Sequence, residues 1–238
     1  MKKVQAKFVP HHLTERQKEA RVDFCQMMLR TFNAGRSSMV WDIVTGDETW
    51  IRQKDPRSRS HSATWCFEDE SPETQQTASA WVGKKMVATF FCKSGHLATI
   101  QLVGQRSVTA DWYSGVCLPA VLEAWKIRRP RDGLRHLRLH HDNAPAHSAA
   151  ITTDYLFEQG VRLLPHPPYS PDLAPADFFL FGTVKEKLRG RDFQSPEAAV
   201  EAYEDEVAAI PIVTWRSAFD NWFIRCQSCI DVGGNYID

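Results

Sequence analysis

Between positions 165 and 175 the chain carries five prolines, at 165, 167, 168, 171 and 175. Each lacks a backbone N–H and has a fixed φ, so neither a helix nor a central strand can cross this stretch. It must be loop, and it divides the sequence. After it every periodic segment reads as helix. Before it strands and helices alternate.

The loop's last proline predicts a helix start. Pro175-Ala176-Asp177 places proline in a first turn, where it is favoured. The helix continues through Phe178, Phe179, Phe181 and Val184 to about Leu188, and Gly190 ends it. Further helices are predicted at Pro196 to Ala209 and Trp215 to Cys229. Upstream, residues 14–33 are helical, with Thr14 as cap, Gln17 as its capping-box partner, and Phe24, Met27, Met28 and Phe32 at helical spacing. Met39 to Val44 reads as a buried strand with Asp47 just past its end. Lys85 to Cys92 and Leu97 to Val103 read as strands joined at Lys93-Ser94-Gly95-His96. A helix follows over 109–127 with Thr109 as cap. Leu134 to His141 is a strand ending at Asp142, Ser148 to Gln159 a helix stopped by Gly160, and Val161 to Leu164 a short strand. This order implies a mixed sheet flanked by helices, an α/β architecture. Residues 52–80 are polar and too long for a simple connector, with a short strand expected near Ala63 to Phe67.

Composition narrows the classes. With 238 residues, 43% of them hydrophobic, the chain can bury a substantial core. No apolar run reaches 18 residues, so no membrane span is expected. Six dispersed cysteines (25, 66, 92, 117, 226 and 229) suit reduced thiols better than a disulfide framework. Cys226-x-x-Cys229 stands alone, and no cysteine lies near His140, His141 and His147, so hydrogen bonding or packing is expected of these histidines rather than a zinc site. Net charge is zero, but residues 1–36 carry eight Lys/Arg against three acids and residues 126–138 six against one. Such segments suit phosphate contacts, or are solvated surface.

Three acids stand in distinctive surroundings: Asp47 in Ile43-Val44-Thr45-Gly46-Asp47-Glu48-Thr49-Trp50, Asp142 in Leu139-His140-His141-Asp142-Asn143-Ala144-Pro145-Ala146-His147, and Asp177 at the end of Pro168-Tyr169-Ser170-Pro171-Asp172-Leu173-Ala174-Pro175-Ala176-Asp177. Taken singly, each has an ordinary alternative: Gly46-Asp47 and Asp142-Asn143 as turns, Asp177 as a first-turn helix acid. Taken together, three carboxylates at the ends of different elements can hold two divalent cations.

These strings resemble the mariner family of DNA transposases, whose motifs read close to VTGDExW, LHDNAPxH and PHPPYSPDLAPxDxxLF. Gly234-Asn235-Tyr236-Ile237-Asp238 resembles the family's ending, and Phe8-Val9-Pro10-His11-His12-Leu13 resembles its linker WVPHEL, with Phe8 and His12 in place of Trp and Glu. The resemblance implies an RNase H-like fold of the retroviral integrase superfamily over residues 37–238, preceded by a linker and helix at 1–36, with a clamp-like insertion at about 52–80. It implies that Asp47, Asp142 and Asp177 are the catalytic, metal-binding residues. Asp47 would bridge two Mg²⁺ or Mn²⁺ ions about 3.5–4 Å apart. It further implies cut-and-paste transposition in the nucleus, transposon ends and a TA target as DNA partners, and a homodimer. In some host-captured members the third acid is Asn; here Asp177 is intact. Nothing in the sequence corresponds to the family's N-terminal helix-turn-helix units, so recognition of particular end sequences is expected to be weak. A relic that binds DNA without cutting it, and a nuclease of the same superfamily, are the alternatives.

Overall fold

The computed structural model describes residues 11–54 and 83–237. The expected clamp-like insertion and its short strand fall outside the described residues, as do Phe8, Val9 and Pro10 of the linker motif.

Helix α1 (Glu15–Thr31) starts as expected: Thr14 Oγ1 accepts from the Gln17 amide at 3.3 Å, and Gln17 Oε1 from the Thr14 amide at 2.9 Å. The strand expected from Met39 is instead a 3₁₀ turn, Ser38–Asp42, capped by Ser37. Strand β1 begins only at Ile43 and runs to Arg52. Asp47 is therefore mid-strand, a correction to its expected place beyond the strand end. What reads as turn chemistry at Gly46-Asp47 is a tight packing requirement. A Cβ on Gly46 would run into the Phe90 ring of β2 (Lys84–Cys92), so glycine lets the two strands close.

β1 pairs antiparallel with β2 over nine residue pairs, from Val44↔Cys92 to Arg52↔Lys84. β2 continues antiparallel into β3 (Gly95–Gln101), with a bulge between Phe90 and Phe91. On its other edge β1 pairs parallel with β4 (Arg138–His140), and β4 pairs parallel with β5 (Arg162–Leu164). The sheet order is β3-β2-β1-β4-β5. β4 is shorter than the expected Leu134 to His141, because Leu137 N turns back to Leu134 O before the strand begins.

Helices cover both faces. The expected 109–127 helix is α2 (Ala110–Trp112) and α3 (Leu118–Arg128) joined by a π segment, Tyr113–Cys117. Pro119, next in the chain, has no N–H for the regular ladder, and the Leu118 amide reaches five residues back to Tyr113 O. The expected 148–159 helix is a short α4 (Pro145–Ser148) and α5 (Ala150–Glu158). After the proline-rich loop, a second π segment, Ala176–Phe181, leads into α6 (Gly182–Leu188). α7 (Pro196–Ala208) and α8 (Ile212–Asp231) complete the chain, α8 starting earlier than expected. Among the described residues no helix is long and apolar enough to cross a membrane.

Strand alternation sends β1 side chains to two cores. Ile43 and Ile51 join α1, α6, α7, α8 and the second π segment. Val44 joins α2, α3, α5 and the first π segment. Asp47 shares the face of Ile43 and Ile51, and Glu48 shares that of Val44. Phe24, Cys25 and Met28 of α1, with Phe32 just past its end, are buried in the first core.

Candidate active site

The parallel β1–β4 register pairs Ile43 with Arg138, Val44 with Leu139 and Thr45 with His140. Extended by two residues, the same register carries Asp47 and Asp142 to the same level of the sheet. The third expected residue, Asp177, lies in the first turn of the second π segment, where its amide bonds Ala174 O at 3.0 Å. This segment packs over β1 on the Asp47 face. Thus all three acids expected from sequence converge, from a strand middle, a position two residues past a strand end and a helix start.

Their electrostatics record the convergence. Asp47 is pushed up to about 8, by burial and then by the charges of Asp177, Glu48 and Asp142, against a hydrogen bond from the Glu48 amide. Asp177, at the solvent-facing rim, rises to about 6, through the protein packed around its carboxyl and the charge of Asp142, with Lys185 pulling the other way. Asp142 behaves oppositely. Burial would raise it, but hydrogen bonds from His147 and the Ala144 amide hold it below the usual range.

His147 links two acids. Its Nδ1 lies 2.7 Å from Asp142 Oδ1 and its Nε2 3.3 Å from Glu48 Oε1. Burial works against its charge, yet these partners push it up to about 10, so it is an imidazolium at neutral pH. His141 stacks parallel on it at 4.7 Å and hydrogen-bonds Tyr113. Burial and the charge of His147 push His141 down to about 3, leaving it neutral. His140 bonds Thr45 Oγ1 at 2.8 Å and His166 at 3.0 Å. The histidines therefore do hydrogen-bond and pack, as expected. What sequence reasoning left out is Glu48, which reaches the site from the opposite face through His147. Its position beside Asp47 in a strand was the available signal.

Among the described residues no three His, Cys, Asp or Glu side chains are gathered as a ready metal-holding group. Asp142 is turned to His147 and Ala144, and Asp47 to the Glu48 amide. The donor set nevertheless fits a hard divalent cation: oxygen ligands, two of them crowded enough to resist ionisation until a positive charge arrives. A cavity of about 190 Å³ opens beside Asp142, lined by Asn143, His147, Ser148, Thr153, Leu163 and His166 among others. The basic segment 126–138 is partly committed elsewhere. Arg128 bonds His96 O at 2.6 Å and Arg129 bonds Trp41 O at 3.0 Å, while Lys126, Arg131 and Arg135 remain exposed.

Sheet order, helices on both faces and carboxylates above the central strands define a catalytic domain of the RNase H-like class. No protein-family model matches the chain. It is 31% identical over 252 residues to the Mariner Mos1 transposase of Drosophila mauritiana, a match covering all of this chain and 68% of that protein. It is 30% identical over 233 residues to the Histone-lysine N-methyltransferase SETMAR of Homo sapiens, covering 98% of this chain and 33% of SETMAR. Among solved structures, a pre-cleavage Mos1 transpososome aligns with a TM-score of 0.89 at 28% identity, covering 100% of this chain and 69% of that one. The catalytic domain of Mos1 aligns with a TM-score of 0.78 at 29% identity, covering 97% of this chain and 100% of that one. The chain belongs to the mariner family of DNA transposases, and the match spans that family's catalytic domain.

Proposed function

We propose that this chain cuts DNA strands and joins the resulting 3′ ends to a second DNA, with Asp47, Asp142 and Asp177 holding two Mg²⁺ or Mn²⁺ ions. The observation that carries the reading is the lifted Asp47 carboxyl, at about 8 in the middle of β1, crowded by Asp177 and Asp142. A strand-centre acid at that cost to the fold is a mark of function. When bound, two divalent cations supply charge stabilisation at both the attacking and leaving oxygens of an in-line phosphodiester displacement.

The chain's own residues do the rest. Asp47 is central by position, in mid-strand and within reach of the charges of both other acids, and it would be shared between the two ions. β1 holds Asp47 within the sheet, and Asp142 follows two residues after the end of β4. His147 keeps Asp142 ionised. Lys185 donates to Thr49 two residues beyond Asp47 and brings positive charge to Asp177. Support for the metals and the DNA comes from the Mos1 neighbours, which include paired-end complexes with Mn and with Mg and a strand transfer complex. Transposon ends and a TA target as partners, a homodimer and a nuclear location complete the proposal.

The test incubates the purified chain with pre-cut transposon-end DNA, a second DNA and Mg²⁺ or Mn²⁺. Joining of the 3′ end to the second DNA is expected. Nicking without joining assigns a nuclease instead, and neither activity assigns a binding relic.

A further inference from the structure

Arg21 is the one arginine among the described residues with no exposed surface at all. A guanidinium has five N–H donors, and each has a partner here. Nε donates to Gly234 O at 2.8 Å, Nη1 to Ser170 Oγ at 2.7 Å and Asp172 Oδ1 at 2.8 Å, and Nη2 to Asp172 Oδ2 at 2.6 Å and Asn235 O at 3.2 Å. A helix, the proline-rich loop and the closing segment 234–237 thus meet on one side chain. Other bonds tie the loop to the closing segment and to α8. Ile237 N donates to Asp172 Oδ2 at 3.1 Å, Tyr236 OH to Tyr169 O at 2.8 Å, and Arg225 Nε to Asp172 O at 2.7 Å. Gly234, at φ +81°, lies so close to the Lys18 carbonyl that no side chain fits.

The loop so held is under strain. Tyr169 is a non-glycine residue at φ 51°, a conformation that persists only where the surroundings impose it. Asp172 is five residues from Asp177, and the path is stiff. Pro171 and Pro175 fix φ, a 3₁₀ turn spans Pro171–Leu173, and Leu173, Ala174 and Ala176 are buried. A displacement at Asp172 is therefore delivered to Asp177 rather than absorbed.

We propose that Arg21, Asp172 and residues 234–237 form a latch that positions Asp177 against Asp47 and Asp142, and so sets the affinity of the carboxylate site for its divalent ion. The inference rests on the metal reading above and assigns positioning, not catalytic, roles.

The experiment compares wild type, Tyr236→Phe, a chain lacking residues 235–238, and Asp177→Asn. Mn²⁺ binding is followed by electron paramagnetic resonance of the free ion, DNA nicking is measured against Mn²⁺ concentration, and circular dichroism reports folding. Tyr236→Phe loses a single hydroxyl bond and keeps Arg21 fully paired, so it serves where the deletion fails to fold. The Mn²⁺ half-saturation should rise about threefold in Tyr236→Phe and about tenfold in the deletion, with the nicking rate at saturating Mn²⁺ within about twofold of wild type. A merely structural role would lower the saturating rate and leave the half-saturation unchanged, and that result overturns the latch. If wild type binds no Mn²⁺, the metal reading fails and takes the latch with it. If wild type binds and Asp177→Asn binds equally well, the latch alone fails.

Discussion

His147 Nδ1 stands 2.7 Å from Asp142 Oδ1, and the bond gives a buried imidazolium its place in a site built of acids. Hydrogen bonds to Asp142 and Glu48 outweigh burial and lift His147 to about 10. A raised folded-state pKa contributes stability that is complete below the unfolded value of about 6.5 and disappears as pH rises through about 10. His147→Gln should therefore destabilise the metal-free chain by roughly 2 kcal/mol at pH 6, and the gap to wild type should narrow steadily toward pH 10. Denaturant melts at a series of pH values measure it. A gap that does not change with pH would show that the ring is neutral.

Asp47 obeys the same sign over a lower pH range. Its carboxyl is raised to about 8, first by burial, so the wild-type chain loses stability as pH climbs from about 4 through about 8. Asp47→Asn should stabilise the metal-free chain by about 1–3 kcal/mol at pH 8.5, flatten its pH profile, and remove the stabilisation that Mg²⁺ confers on wild type. Thermal melts with and without Mg²⁺ decide the matter; equal gains from Mg²⁺ in both chains would remove Asp47 from the ligand set.

The acids should also differ in catalysis. Asp47 sits in a strand paired on both edges, whereas Asp177 opens a π segment at the solvent-facing rim. Asp177→Asn should keep some nicking with Mn²⁺, which tolerates an imperfect ligand set, while Asp47→Asn should be inactive with either metal. Nicking rates for both variants in Mg²⁺ and Mn²⁺ are the measurement. Greater residual activity in Asp47→Asn would overturn the bridging role.

Gly46 carries a packing prediction. Its missing Cβ is the space occupied by the Phe90 ring. Gly46→Ala should cost about 1–3 kcal/mol and displace the adjacent Asp47. Adding Phe90→Leu should recover part of that loss, which a double-mutant cycle would read as coupling.

The capping box of α1, the β2–β3 hairpin and the proline-bounded start at Ala176 were legible because each depends on a few neighbouring residues. The three acids stood out as candidates through the strings around them. Asp47's mid-strand place was not, since Gly46-Asp47 has the composition of a turn and its reason for being a strand lies in Phe90, across the sheet. Both π segments escaped because helical periodicity assumes a regular ladder; Pro119 and Pro175 were the local hints. Arg21 was invisible for a related reason: from sequence it is one charged residue on a helix, and its carboxylate partner is 151 positions away.

Asp47 and Glu48, neighbours in β1, point to opposite faces of the sheet. A slip of one residue against β2 would exchange them, offering Glu48 to Asp177 and sending Asp47 toward His147. Such a misaligned chain would still own the same acids, yet present them with the wrong reach. The nine-pair β1–β2 ladder is then a proofreading device as well as a scaffold: the register in which these two strands align chooses which carboxylate faces Asp177.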